Sequence, residues 1–229
     1  MTRTRKPRAR RPAQSRTVAD ERTRQRLLEA AARLFSERGF QKITVREICR
    51  RANANVAAVN YHFRDKLGLY SEVVWMVIRA AQSTREAAIQ AGEGRSTEEK
   101  LRAYLRVYLR RLLGEGQKSW IHKLLAHELA DPTPAFDLIV EHAIRPRIAY
   151  LSGIVSELLG CAITDRRVSR CVASIQGQCL MYAPTLLAAR LVPEWKVPPA
   201  EFDSLTEHIA AFSLAGIRVL AQQASTAKT

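Results

Sequence analysis

Residues 44–66 read TVREICRRANANVAAVNYHFRDK, and the order of caps and turns in this stretch decides the fold. Thr44 stands three residues before Glu47. A threonine hydroxyl at a helix N-terminus accepts from the N3 amide, and a glutamate at N3 reaches back to the cap amide, so the spacing predicts a short helix through Ala52. Asn53 follows, a residue that tolerates the left-handed backbone a tight turn needs. Asn55 sits where an N-cap belongs, ahead of a second short helix from Val56 to His62. Asp65 is placed to cap a longer helix beginning at Lys66. Two short capped helices joined by a three-residue turn make a helix-turn-helix. Val59 and Phe63, four apart, give the second helix a dry side. Val56, Ala57, Asn60 and Tyr61 are then free to enter a major groove.

Toward the N-terminus, Leu27, Ala31, Leu34 and Phe35 recur at helical spacing, with Leu28 and Ala30 widening the stripe. They predict a helix over about 18–38, stopped by Gly39. Residues 1–18 carry seven basic side chains, no acid and two prolines, which predicts a disordered basic arm. Charge separates the chain sharply. Residues 1–66 hold 18 Lys/Arg against 6 Asp/Glu, whereas residues 67–229 hold 19 against 16. Such asymmetry points the N-terminal quarter at a polyanion, either nucleic acid or an anionic membrane surface.

Toward the C-terminus the pattern stays helical. Leu69, Tyr70, Val73, Val74, Val77, Ile78 and Ala81 form the inner stripe of a helix over about 65–91. Further helices are predicted over about 96–113, 118–130, 134–159, 165–190 and 200–222, with a kink at Pro146. No stretch alternates with strand period. The expected fold is all-α, with about nine helices. Its expected parts are a disordered basic arm over 1–18, a three-helix helix-turn-helix domain over 19–64, and a larger helical ligand-binding and dimerisation domain over 65–229. No apolar run reaches the ~20 residues a bilayer requires, and no apolar segment follows the basic N-terminus as in a secretory signal, so the chain is expected in the cytoplasm. Cys49, Cys161, Cys171 and Cys179 form no C-x-x-C pair. They read as reduced buried thiols or, alternatively, as a redox sensor.

The wording of residues 44–63, together with Lys66, Leu69-Tyr70 and the preceding Ala30, Ala31, Leu34, Phe35 and Gly39-Phe40, resembles the TetR/AcrR family of transcriptional regulators. The similarity is strong over about residues 20–70. The run Asn55–Phe63 and the C-terminal half look like the CecR-like branch. The resemblance implies that Thr44, Tyr61, His62 and Lys66 hold the DNA backbone and that Val56, Ala57 and Asn60 read bases, with Arg46 and Asn55 in the same DNA-binding set. Phenol, imidazole and ammonium groups are all suited to phosphate oxygens. His62 could instead be structural, packed against the fourth helix. Asn53 stands where many members have Gly, and Val56 where many have Lys or Arg. Direct readout is therefore expected to lean on thymine methyls and one Asn–adenine pairing.

The resemblance also implies a homodimer and a small-molecule effector. Ala173 and Gly177, with Ala211, Ala215 and Gly216, would let two long helices approach those of a second copy. Trp75, Tyr104, Tyr108, Trp120, His127, Gln176, Met181 and Tyr182 are the candidate ligand-pocket residues, and each also reads as ordinary core. No metal site is expected, since His122 and His127, five apart, do not share a helix face. No cofactor is expected, and no catalytic constellation is present. The expected partners are double-stranded operator DNA, a second copy and an effector, with no membrane. The expected activity is a ligand-responsive repressor that releases its operator. The alternatives are the same fold as an architectural or protein-interaction DNA binder without a ligand, and an enzyme with a basic tail.

Overall fold

The computed structural model describes residues 13–114, 119–183 and 197–226. Those residues form α1 (Ala13–Arg38), α2 (Val45–Ala52), α3 (Val56–Phe63), α4 (Lys66–Gly92), α5 (Thr97–Leu113), α6 (Ser119–Ala130), α7 (Phe136–Ile139), α8 (Arg145–Leu159), α9 (Arg166–Met181) and α10 (Phe202–Thr226). A π-helical turn, Val140–Ile144, joins α7 to α8 without a break, so the described residues make nine helical rods and no strand.

The helices form two compact units, and the division differs from the expected boundary after residue 64. The first unit runs to Val73 and also takes in Lys123–Thr133. The cause is aromatic packing. Tyr70 lies edge-on to Phe35, with centroids 4.9 Å apart, and 4.8 Å from the ring of Phe40. Leu69, Tyr70 and Val73 are buried with it, so the start of α4 belongs to this core. The Tyr70 hydroxyl donates to Oε1 of Glu128, a carboxylate only 1% exposed. Thr133 donates to the same carboxylate through its backbone N–H (3.2 Å) and its hydroxyl (3.0 Å). A buried carboxylate requires such donors, and here they tie the end of α6 to α4.

Within this unit α1 packs against α2 and α3. Leu27, Leu28, Ala31, Leu34 and Phe35 of α1 meet Ile43, Ile48, Val59 and Phe63, all buried. α1 begins at Ala13, not near Val18, because helix propagation past the last proline costs little once a nucleus exists. The rest of the expected arm, residues 1–12, lies outside the described residues.

The second unit comprises Val74–His122 and Pro134–Thr229. α5 packs against α8 and α10, α8 against α9, and α9 against α10. Leu101, Leu105, Leu109, Leu151, Val155, Val172, Ile175, Ile209, Ala210 and Leu214 fill its core. The chain accommodates Pro146 through the π turn. Pro146 stands in the first turn of α8, directly after that π turn. α9 stops at Met181, short of the expected 190, and residues 184–196 are not among those described.

The junction of α3 and α4 is closely packed. Asp65 caps α4, its Oδ1 accepting from the Gly68 N–H at 2.8 Å. A Cβ on Gly68 would fall 2.0 Å from the Phe63 carbonyl oxygen. On exposed Gly153 of α8, a Cβ would meet nothing within 4 Å. The two alanine substitutions should therefore have opposite signs. Gly68→Ala should cost about 1–3 kcal/mol by overpacking, and Gly153→Ala should gain about 0.5–1 kcal/mol by restricting the unfolded chain. Urea unfolding of both variants checks this, and equal midpoints for the two would contradict the close approach.

Candidate nucleic-acid interface

The capping box is closed in both directions. The Thr44 N–H donates to Glu47 Oε2 at 2.8 Å, and the Glu47 N–H donates to the Thr44 hydroxyl oxygen at 3.3 Å. Arg38 of α1 adds a bond from Nη1 to Glu47 Oε1 at 3.0 Å, bracing α2 against α1. The Thr44 backbone bond, the Thr44 hydroxyl and Arg38 together hold the Glu47 carboxyl at about 2, well below its ordinary value. Asn53 ends α2 with φ 47° and ψ 55°, the left-handed turn its side chain tolerates. Asn55 then starts α3, its Oδ1 accepting from the Ala57 N–H at 3.1 Å.

These caps set the rotation of α3. Val59 and Phe63 face inward and are buried, while Val56 (39% exposed), Ala57, Asn60 and Tyr61 (74% exposed) face outward. The outward surface is thus two methyl-bearing side chains, one carboxamide and one phenol. Lys42, Arg46, Arg50, Arg51 and Arg64 are exposed around the two short helices and, among the described residues, form no ion pair. Lys42, Arg50, Arg51 and Arg64 were not singled out from the sequence. Their signal was present only as charge, since exposure and pairing do not show in spacing.

Other basic groups are already engaged. Arg24 pairs with Glu72 at 2.8 Å and lies over the Phe63 ring. The Lys66 ammonium sits 4.2 Å from the Phe40 ring centroid, and burial lowers its pKa. His62 turns inward. Its side chain is 8% exposed and its Nε2 lies 3.3 Å from Oδ1 of Asp20 on α1. The imidazole is therefore in contact with α1, where the sequence offered the DNA backbone or the fourth helix. Thr44 and Asn55 are exposed, with side-chain oxygens engaged in the caps.

The candidate pocket residues do not form one group. His127 lies in the first unit, where its Nδ1 stands 3.3 Å from the point a Cβ on Gly39 would occupy. Met181 is half exposed at the end of α9. Trp75 packs near His142 of the π turn, centroids 5.3 Å apart, and Trp120 is half-buried. Tyr182 is also half-buried. Tyr104, Tyr108 and Gln176 do converge. The two phenol rings stack with centroids 5.8 Å apart, and the Gln176 amide donates to the Tyr104 oxygen at 2.9 Å. Arg147 joins them, a residue whose position beside Arg145 gives no sign of it in the sequence. Among the described residues no cluster of His, Cys, Asp and Glu could hold a metal, and no helix is long and apolar enough to cross a membrane.

The family model for bacterial regulatory proteins of the tetR family matches residues 27–73. The model for the C-terminal domain of the HTH-type transcriptional dual regulator CecR matches residues 97–217. The chain is 27% identical over 174 residues to the HTH-type transcriptional dual regulator CecR of Shigella flexneri, covering 72% of this chain and 78% of that one. It is 27% identical over 139 residues to a probable acrEF/envCD operon repressor of Escherichia coli, covering 60% of each. A TetR-like transcriptional regulator from Rhodococcus sp. RHA1 shares the fold with a TM-score of 0.61 at 19% identity, over 85% of this chain and 96% of that one. A regulator from Aquifex aeolicus does so at 0.51 and 21% identity, over 82% and 96%.

The lowered Glu47 value has a measurable consequence. A carboxyl whose folded pKa lies below its ordinary 4.5 contributes stability that is complete above about pH 4.5 and drains away as pH falls toward 2. Gln at the same position can still bond the cap but carries no charge. The stability advantage of the wild type over Glu47→Gln should therefore shrink steadily through that window, as urea unfolding at a series of pH values would show. An advantage independent of pH would mean that charge plays no part in the cap.

Proposed function

Since the chain belongs to the TetR family of bacterial regulators, in the CecR-like branch, we propose that it is a repressor that grips operator DNA as a homodimer and releases it when a small molecule binds the second unit. It is a DNA-binding transcriptional regulator by family. The observation that carries the finer reading is the outward face of α3. Val56, Ala57, Asn60 and Tyr61 project from a doubly capped helix, ringed by Lys42, Arg46, Arg50, Arg51 and Arg64, all exposed and without carboxylate partners. Methyl groups suit thymine, the Asn60 carboxamide suits adenine, and Tyr61 with the unpaired cations suits phosphate. Thr44 and Asn55 would contribute through their helix termini, Arg46 through its charge. Lys66 would first have to leave the Phe40 ring. His62 would orient Tyr61 from its seat on Asp20 and touch no DNA itself. The protein would act in the cytoplasm.

A second copy would cover one face of α9 and α10. Ala173, Gly177, Leu180 and Met181 on α9, and Ala211, Phe212, Ala215, Gly216 and Val219 on α10, are all exposed at helical spacing. A Cβ on Gly177 or Gly216 would meet nothing within 4 Å, so both face away from their own chain. Phe212, 67% exposed, is the largest apolar group in this stripe. An apolar face of this extent on a soluble helix pair favours burial against another protein surface.

Two outcomes are expected. With about six to ten phosphate contacts per dimer, operator affinity should fall on the order of a thousandfold or more between about 50 and 200 mM salt. Footprinting on the DNA flanking its own gene, followed by a salt titration, tests this, and a flat titration would refute it. Phe212→Glu should leave the circular dichroism spectrum intact, sediment as a monomer at micromolar concentration, and lose operator affinity. A variant that remains dimeric with unchanged binding would move the seam elsewhere.

A further inference from the structure

Arg147 of α8 is a half-buried cation with no anion. Its Nη1 donates to Gln176 Oε1 and lies 3.4 Å from the Tyr104 hydroxyl, and its Cζ stands 4.7 Å from the Tyr108 ring centroid. Among the described residues, no carboxylate lies within ion-pair distance of it. The neighbouring arginines contrast with it. Arg102, Arg106, Arg110, Arg145, Arg167 and Arg218 each pair with an Asp or Glu, and Arg145, two residues away, does so at the surface with Glu141 at 2.8 Å. Ordinary construction would pair the inner arginine and leave the outer ones to water, because an uncompensated charge costs more the deeper it lies.

The groups touching Arg147 cannot neutralise it. Burial pushes Tyr104 and the neighbouring Cys179 thiol each up to about 12 and raises Tyr108 as well, so all three are uncharged at neutral pH. The guanidinium is held from one side only. Nη1 is engaged, while Nε and Nη2, the edge that fits a carboxylate with two parallel bonds, have no acceptor among the described residues. The Arg147 side chain is only half-buried, in contrast to the buried, unbonded Nε of Arg85. The π turn at Val140–Ile144 ends three residues before Arg147, and such turns recur where a helix serves a ligand.

We infer that Arg147 is the anchor of an organic-anion site in the second unit, in which a small-molecule carboxylate takes the free Nε/Nη2 edge while its apolar body lies against the half-buried ring of Tyr108. Gln176 and Tyr104 orient the fork and do not supply charge. The inference rests on the ligand-responsive reading and narrows it to one chemical class of effector.

The test uses the full-length dimer and matched probe pairs: benzoate against benzamide, and octanoate against octanamide. Thermal shift and calorimetry read binding, and release of operator DNA is read separately. Carboxylates should raise the melting temperature at millimolar concentration and their neutral amides should not. Arg147→Met should fold, with an unliganded melting temperature close to that of the wild type, because removing a half-buried charge that lacks a counter-ion offsets the donor lost to Gln176 Oε1. It should lose the carboxylate response. Arg147→Lys, which keeps the charge and loses the fork, should weaken binding at least tenfold, and Arg145→Met should leave it unchanged. The proposal is overturned if no carboxylate binds the wild type, if amides bind as well as carboxylates, or if the Lys variant binds normally. Arg147-dependent binding that does not release DNA would support the site and refute the ligand-responsive reading. Release by the neutral amides alone would do the reverse.

Discussion

A carboxylate with almost no access to water organises the first unit. Glu128 can stay buried only because the Tyr70 hydroxyl and two donors of Thr133 surround it. Tyr70 is at the same time the hub of the Phe35–Phe40–Tyr70 ring cluster. One phenol therefore serves two purposes, filling the apolar core with its ring and satisfying the acid with its oxygen. Through it α1, α4 and the end of α6 share a single core, and the Lys66 ammonium rests over the ring of Phe40 in the same cluster. Removing the Glu128 carboxylate would take from the buried Tyr70 hydroxyl the acceptor it donates to, a larger loss than the net worth of the bond itself.

The local grammar of this fold was legible in the sequence because caps are short-range. Thr44 with Glu47, Asn53 in its turn, Asn55 before α3 and Asp65 before α4 act over two to three residues, and each is found at its expected position. The burial of Val59 and Phe63 also follows from spacing alone. The Tyr70–Glu128 bond joins residues 58 apart and leaves no trace in either neighbourhood. Spacing alone therefore places residues 123–133 in the larger domain and His127 among the pocket candidates, whereas His127 packs beside Gly39. His62 was offered DNA or α4 as a partner, because nothing near Asp20 marks it as a third choice.

Arg147 shows the same limit from the other side. A basic residue after Pro146 in an amphipathic pattern reads as surface, and Arg145 is in fact at the surface. What distinguishes the two arginines is which partners the rest of the unit supplies, Glu141 to one and neutral phenols to the other. Similarly, the small residues of α9 and α10 were legible as a stripe. That the stripe faces away from its own chain, together with Phe212, emerges only once the core is packed.

The junction between α3 and α4 has a mechanical meaning. Only Arg64 and Asp65 separate the two helices, the Asp65 side chain clamps the first turn of α4, and Gly68 lies so close to the Phe63 carbonyl that not even a methyl group would fit. Such a coupling has no backlash. α3 and the first turns of α4 behave as one machined part, so a torque applied to that end of α4 arrives at α3 without lost motion.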